Sequence, residues 1–460
     1  MTIMIDPSIF RDYDIRAIIP TQLDQEGVRR IAKAIVKIFT PKTMQVGRDM
    51  RVSSPEFQKI FIDTVIDCGV SVVDLGLIST DMLYFASGKY DEDMSITLSA
   101  SHNPPEYNGM KIVKKGAVAV SGQSGIYDIR DLVMSDDKLN FNKTTKGQLT
   151  QRNVINEYVN HVLSFIDVSK MKPFNVVVDT GNGMAGYFMP FFEEKLPWKV
   201  ARLFYELDGT FPNHTPSPIE LKNMQDVINK VNETKADVGM AFDGDGDRVF
   251  LVDETGRYIT GTLMTAMIAE NLSIKHPGQK ILYNAVIGRI VPEIIKKYGG
   301  DPMRVRVGHT LIKEDMRKYD GLFCGEHSGH YFFRDNYFAD SAIIAVLLVL
   351  ELMSVKNKTL SEMIDEYNKY SALQSEINFV VADKEDVMKK IEGRYKDDAK
   401  FIDWLDGVSI WFDDWWFNVR PSNTESLLRL NVEADNDKLL EEKTKELITS
   451  IESLGGKEKV

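Results

Sequence analysis

The sequence predicts an α/β protein of several domains: three similar α/β domains with mixed, mostly parallel sheets, then a smaller C-terminal α+β domain. Three observations predict it. The chain has 460 residues, too many for one ordinary core and suited to three or four domains of about 100 to 200 residues each. Its composition, 43% apolar, 10% aromatic and 27% charged, supplies buried cores and carries no disorder signature. Strand and helix periodicities alternate over most of the chain, then give way to a strand-rich ending.

In order along the chain, residues 23–39 (LDQEGVRRIAKAIVKIF) place Val28, Ile31, Ala32, Ile35, Val36 and Phe39 at helical spacing. MQVGRD then gives a short strand and a glycine turn. PEFQKIFIDTVIDCG repeats the helix and VSVVDLG the strand. The cadence returns in NVVVDTGNG, in ADVGMAFDGDGD, and in GQKILYNAV after a helix around TLMTAMIAENL. Such alternation builds mostly parallel sheets. It recurs about three times in units of about 100 residues, without a repeat at the level of letters. The most apolar run, AIIAVLLVLELM at 342–353, is short of the roughly 20 residues that span a bilayer and reads as a buried helix. Beyond residue 370, SEINFVVADK, VSIWFDDWWFNVRPS and SLLRLNVEAD read as antiparallel strands, with helices at 385–393 and 436–453. The expected domains are 1–146, 147–249, 250–367 and 368–460.

A net charge of −12 and the lack of a dense basic run with interleaved aromatics argue against a nucleic-acid partner. Two cysteines, Cys68 and Cys324, are too few for a disulfide framework. MTIMIDPSIFRDYD has acids where a signal peptide needs basic and then apolar residues. A cytoplasmic protein with no membrane segment is the expectation.

Four segments carry candidate chemistry. DGDGDR sets Asp243, Asp245 and Asp247 at alternate positions after the apolar run VGMAF. Three converging carboxylates repel one another unless a cation sits among them, and a hard divalent ion such as Mg2+ suits oxygen ligands. Glycines 244 and 246 allow the turn. An EF-hand is a poor alternative, because Arg248 stands at its sixth position where glycine is needed and VFLV at 249–252 is strand-like. TGNGMAG has Gly181, Gly183 and Gly186 in dinucleotide-fingerprint spacing, with Glu206 about 20 residues on. A tight, closely packed turn needs the same glycines. CGEHSGHYFF brings Glu326, Ser328 and His330 into one loop; a carboxylate with a hydroxyl suits vicinal sugar hydroxyls. In VRPSNTESLLRL, Arg420 with Ser422, Asn423 and Thr424 could ring a phosphate, although Pro421 and Asn423 alone predict only a turn.

Taken together with YDIR and SASHNPPEYNGMKI, these motifs make the chain similar, over essentially its whole length, to the α-D-phosphohexomutase family. It resembles most the phosphomannomutase/phosphoglucomutase branch, with YDIR, SASHNPPEYNGMKI, DGDGDR, GEHSGH and RPSNTE in family order. The resemblance implies four domains around a central cleft and an enzyme that interconverts hexose 1-phosphate and hexose 6-phosphate, of mannose or glucose. It implies that Ser101 carries a phosphoryl group and completes a Mg2+ site with the three aspartates. Reaction would pass through a hexose 1,6-bisphosphate, with glucose or mannose 1,6-bisphosphate as activator. Arg248 would neutralise charge with Mg2+, Arg16 would be a further catalytic residue facing the cleft, and Lys111 or His102 would act as general base, Lys111 preferred, with nearby cations to lower its pKa. Tyr13, His309 and His330 would face the substrate beside Glu326 and Ser328. The distal phosphate would lie on Arg420, Ser422, Asn423 and Thr424. Sugar phosphates are the implied partners, with no obligate protein partner.

One departure bears on substrate. A lysine common in dual-specificity relatives would fall about 23 residues before His309, where this chain has Val286, with Arg289 the nearest basic residue. A phosphoglucosamine mutase remains the alternative within the family. A phosphatase, a calcium-binding module and an NAD-dependent oxidoreductase remain alternatives outside it.

Overall fold

A computed structural model describes residues 5–135, 139–141, 145–367, 372–373, 376–422 and 427–459, with only the backbone at 372–373. The chain divides into two compact units. One comprises Met1–Thr260 with Ser328–Ser361, the other Gly261–His327 with Glu362–Val460.

Within the first unit the expected helix forms as Gln25–Phe39. The Asp24 side chain caps it by accepting from the Gly27 N–H, and Val28, Ile31, Ala32, Ile35 and Val36 are buried along one face. That stripe packs on a sheet whose centre is parallel: Thr43–Arg48 lies between Ser71–Leu77 and Met94–Leu98. Tyr107–Lys114 then joins Met94–Leu98 antiparallel, and Ile15–Ile18 joins Tyr107–Lys114 antiparallel. A second sheet repeats the plan. Val238–Phe242 runs parallel to Phe174–Asp179, which runs parallel to Trp198–Leu203, and Val249–Asp253 folds back antiparallel on Val238–Phe242. Where direction reverses, a short loop suffices in place of a crossover helix. Ser101 and the three aspartates occupy those two reversals.

The run predicted as a buried helix is Ala342–Lys356, with Ala342 to Leu350 wholly buried within the first unit. Glu351, within the helix, accepts the backbone N–H of Asp167 at 2.9 Å. Among the described residues no helix is long and apolar enough to cross a membrane.

In the second unit Lys280–Asn284 pairs in parallel with Asp301–Val305 and with Phe323–Gly325. The C-terminal domain is an antiparallel sheet ordered Phe401–Asp403, Val408–Trp411, Trp415–Pro421, Leu428–Ala434, Ile377–Val380 and Lys457–Glu458. Helices Lys384–Tyr395 and Asp437–Ser453 bury Val387, Ile391, Leu447 and Ile451 against it. Four domains, three with mixed α/β sheets and one with an antiparallel sheet, thus match the expected fold class.

Candidate active site

Ser101 lies in the loop joining Met94–Leu98 to Tyr107–Lys114. It is buried and adopts φ +50°, a left-handed conformation uncommon for a residue with a Cβ. Its N–H donates to Ser99 Oγ at 3.1 Å, and its own Oγ donates to Asp243 Oδ2 at 3.0 Å. The loops meet because residue 244 is glycine: a Cβ there would stand 2.5 Å from the Ser101 carbonyl oxygen. Gly246 serves differently, taking φ +78° to complete the turn.

Asp243 organises its own loop. Oδ1 accepts the N–H groups of Gly246, Asp247 and Arg248 at 3.1, 3.1 and 3.2 Å. Oδ2 faces Ser101 and the Arg248 Nε, 3.2 Å away. Lys111 Nζ donates to Asp245 Oδ2 at 2.7 Å and to Asp247 Oδ2 at 2.6 Å. Asp245 Oδ1 and Asp247 Oδ1 are buried and accept no hydrogen bond. The three carboxylates offer oxygens within 4.8 Å of one another. Buried anionic oxygens without donors, converging at that spacing, fit a hard divalent cation such as Mg2+. Burial, Asp247 and Asp245 push the Asp243 carboxyl well above the usual carboxylate range. Burial also acts to raise Asp245, but Lys111 and Thr80 overcome it and hold that carboxyl low.

Of the remaining predicted residues of the first unit, His102 and His330 stand beside this cup. His102 Nδ1 is 3.3 Å from Ser101 Oγ and hydrogen bonds with Arg248 Nη2, which also donates to Ser101 Oγ at 3.3 Å. Burial, Arg248 and Arg16 push His102 well below its usual pKa. Arg16 donates to Asp14 Oδ2 at 2.8 Å and to Asn103 Oδ1; Tyr13 in the same segment is half-buried. His330 Nε2 lies 3.7 Å from Asp247 Oδ1, and its Nδ1 is 3.0 Å from Ser328 Oγ.

The environment of Lys111 corrects one expectation. Cations were to lower its pKa, but its near neighbours are Asp245 and Asp247; burial pulls it down, these carboxylates outweigh burial, and it stands well above the usual lysine value. TGNGMAG takes the tight, closely packed turn of its two readings. A Cβ at residue 183 would stand 2.7 Å from the Gly244 carbonyl oxygen, and one at residue 186 would stand 2.3 Å from that of Tyr205. Met184 N–H donates to the Gly244 carbonyl at 2.9 Å. These glycines let the segment brace the aspartate loop, which accounts for the fingerprint spacing without a dinucleotide.

In the second unit Glu326 is buried and His309 begins the helix His309–Tyr319. The division of the chain falls between His327 and Ser328, so Glu326 and Ser328 belong to different units. Arg420 is buried, 3.4 Å from Glu376 and 3.9 Å from Asp406. The buried Ser422 donates its N–H to the Leu427 carbonyl. Asn423 and Thr424 lie outside the described residues. Arg289 does not stand in for a lysine at Val286: it is engaged by Glu433 at 3.6 Å and Asp435 at 2.7 Å, and Val286 is buried.

Sequence reasoning missed Thr80 and Arg429. Thr80 donates its hydroxyl to Asp245 Oδ2, and its N–H to the Asp245 carbonyl, from the first turn of the helix Thr80–Lys89. Nothing local in STDML signals this, since the two positions are far apart in the chain. Arg429 is the cross-strand partner of Arg420 and lies 2.9 Å from Glu376. Counting back across the hairpin from RPSNTES would have found it.

Models of the phosphoglucomutase/phosphomannomutase alpha/beta/alpha domains I, II and III match residues 7–138, 156–256 and 258–370, and that of the C-terminal domain matches 376–450. The chain belongs to the phosphoglucomutase/phosphomannomutase family and is an enzyme, and the family's general reaction interconverts hexose 1- and 6-phosphates. It is 37% identical to a phosphomannomutase of Methanocaldococcus jannaschii, with 98% of each chain covered. It is 36% identical to the phosphomannomutase of Escherichia coli, covering 96% of this chain and 98% of that one. A solved family structure from Burkholderia thailandensis superposes with a TM-score of 0.89 at 30% identity over 98% of both chains.

Proposed function

We propose that this enzyme is a phosphohexomutase acting on mannose and glucose phosphates through a phosphorylated Ser101 and a hexose 1,6-bisphosphate. The observation that carries the reading is the buried Ser101 hydroxyl, 3.0 Å from Asp243 and 3.3 Å from both His102 and Arg248, at the lip of a three-carboxylate cup. In the first half-reaction the free hydroxyl of a hexose monophosphate attacks the phosphorus on Ser101. The new P–O bond forms as the bond to Ser101 Oγ breaks, and the hydroxyl proton passes to a base. In the second half-reaction the other phosphate of the bisphosphate returns to Ser101.

Asp243, Asp245, Asp247 and Ser101 would hold Mg2+, which when bound supplies positive charge to the transferring group. Arg248 and Arg16 add charge at the same place. Lys111, ion-paired to Asp245 and Asp247, orients both carboxylates, and Lys111 or His102 would take the proton of the attacking hydroxyl. Glu326, Ser328 and His330 would take sugar hydroxyls, with Tyr13 and His309 as further contacts. Arg420, Ser422, Asn423 and Thr424 would hold the distal phosphate. Glucose or mannose 1,6-bisphosphate would prime Ser101, and the four domains would divide as 1–146, 147–249, 250–367 and 368–460.

The names of the relatives favour mannose and glucose over glucosamine. Phosphorus NMR with Mg2+ and a trace of glucose 1,6-bisphosphate tests this, using mannose 1-phosphate, glucose 1-phosphate and glucosamine 1-phosphate separately. The expected result is a growing 6-phosphate signal for mannose, glucose or both. Inorganic phosphate alone would make the protein a phosphatase, and a signal only with glucosamine would move it to the alternative branch.

A further inference from the structure

We propose that Arg51 is a positioning residue for Ser101, an inference that rests on the phosphoserine reading above. Its side chain is completely buried, and it spends its donors on the backbone of one loop. Nη2 donates to the carbonyls of Ser101 at 2.8 Å and Asn103 at 2.6 Å. Nη1 donates to those of Pro104 at 2.8 Å and Tyr107 at 2.9 Å. The segment carrying the nucleophile is thus wrapped around a single guanidinium.

The guanidinium is itself fixed. Asp49 Oδ2 lies 3.3 Å from Nε, while Asp49 Oδ1 accepts the Arg51 N–H at 2.9 Å and Ser54 Oγ at 2.6 Å. The Phe211 ring lies 5.1 Å from the guanidinium carbon, close enough for a cation–π contact. Only a planar fork with five donors can serve four carbonyls arranged around it; an ammonium has three donors about one point. Arg51 touches no reacting atom. It pins the carbonyl of a residue held at φ +50°, and so fixes where Ser101 Oγ stands relative to Asp243 and Arg248.

The same geometry explains why a charged group is buried here. Removing the guanidinium takes a donor from each of four carbonyls, of which only that of Pro104 keeps another, the Tyr107 N–H at 3.1 Å, so the partly buried loop must rearrange to recover the rest. A shift of the nucleophile by about 1 Å is costly to transfer and leaves sugar binding elsewhere untouched.

The test uses full-length wild type, Arg51→Lys and Phe211→Leu, each checked for folding by circular dichroism and thermal melting. Ser101 is charged with glucose 1,6-bisphosphate in Mg2+, and its phosphorylation is followed by quenched-flow mass spectrometry beside steady-state kcat and KM. In Arg51→Lys we expect charging and kcat to fall together by roughly ten- to a hundredfold, with KM within about twofold of wild type. Phe211→Leu should fall less and in the same direction. A folded variant that charges Ser101 at the wild-type rate overturns the role of Arg51, and if Arg51→Lys does not fold, Phe211→Leu decides alone. A wild type that takes no phosphate on Ser101 sinks the phosphoserine reading itself and this inference with it, a result distinct from an unaffected variant.

Discussion

At the scale of single residues, the site consists of groups whose charge and clearance are set by neighbours distant in sequence. Ser101→Ala removes the only atom that could carry the phosphoryl group in this reading. Mutase turnover should be lost while the melting temperature stays near wild type; a variant that still forms 6-phosphate would exclude the phosphoserine. Asp245→Asn should lower kcat by at least about a hundredfold, more than outer-shell changes cost, and should abolish the heat of Mg2+ binding in calorimetry. Gly244→Ala places a Cβ 2.5 Å from the Ser101 carbonyl oxygen, a backbone atom that cannot swing aside. It should cut kcat about tenfold or more and lower the melting temperature together, whereas a variant with wild-type kinetics would show that the two loops can part freely.

At the scale of elements, the reversals of strand direction position the chemistry, and short segments behind them keep those reversals in place. One such brace is the pair formed by His214 Nε2 and Asp179 Oδ2, 3.1 Å apart, beside Gly181 and Pro216, with Pro216 next to Gly244. Burial alone would lower the His214 pKa, but the hydrogen bond and charge of Asp179 outweigh it, so the folded value lies above the ordinary one near 6.5. A raised folded pKa stabilises fully below the unfolded value and is lost as pH rises through the folded one. His214→Gln should therefore destabilise by on the order of 0.5 to 1 kcal/mol at pH 5.5 to 6 and by less at pH 9. Urea melts at the two pH values measure this, and an equal loss at both would remove the ion pair from the account.

At the scale of the whole molecule, the chain does not divide where its four domains follow one another. Ser328–Ser361 belongs to the first unit, where helix Ala342–Lys356 packs with the strand Val249–Asp253 and the helix Ile155–Leu163. Ser341, at the start of that helix, donates to Asp81 Oδ2 at 2.7 Å, joining parts of the chain 260 residues apart. Leu347 is wholly buried there, and Leu347→Ala should cost about 2 to 5 kcal/mol in cavity and transfer terms, read as a lowered urea midpoint. A loss under about 1 kcal/mol would mean that the helix is not part of that unit's core.

Much of this was legible in the sequence, and the limits have physical causes. Periodicity is local, so the helix Gln25–Phe39, the buried helix at 342 and the antiparallel ending could be read directly from apolar spacing. The aspartate cup was legible because its three carboxylates and its turn lie within six residues. Arg51, Thr80 and the true surroundings of Lys111 were not, since each depends on which loops the sheets bring together. The sequence by itself determined the four-domain plan and the kinds of groups that suit a phosphate or a metal. Only the tertiary structure decided that Lys111 lies between two carboxylates, that TGNGMAG braces a loop, and that one buried guanidinium holds the Ser101 loop. The physical reason is that secondary structure follows from neighbours along the chain, whereas charge state and clearance follow from neighbours in space.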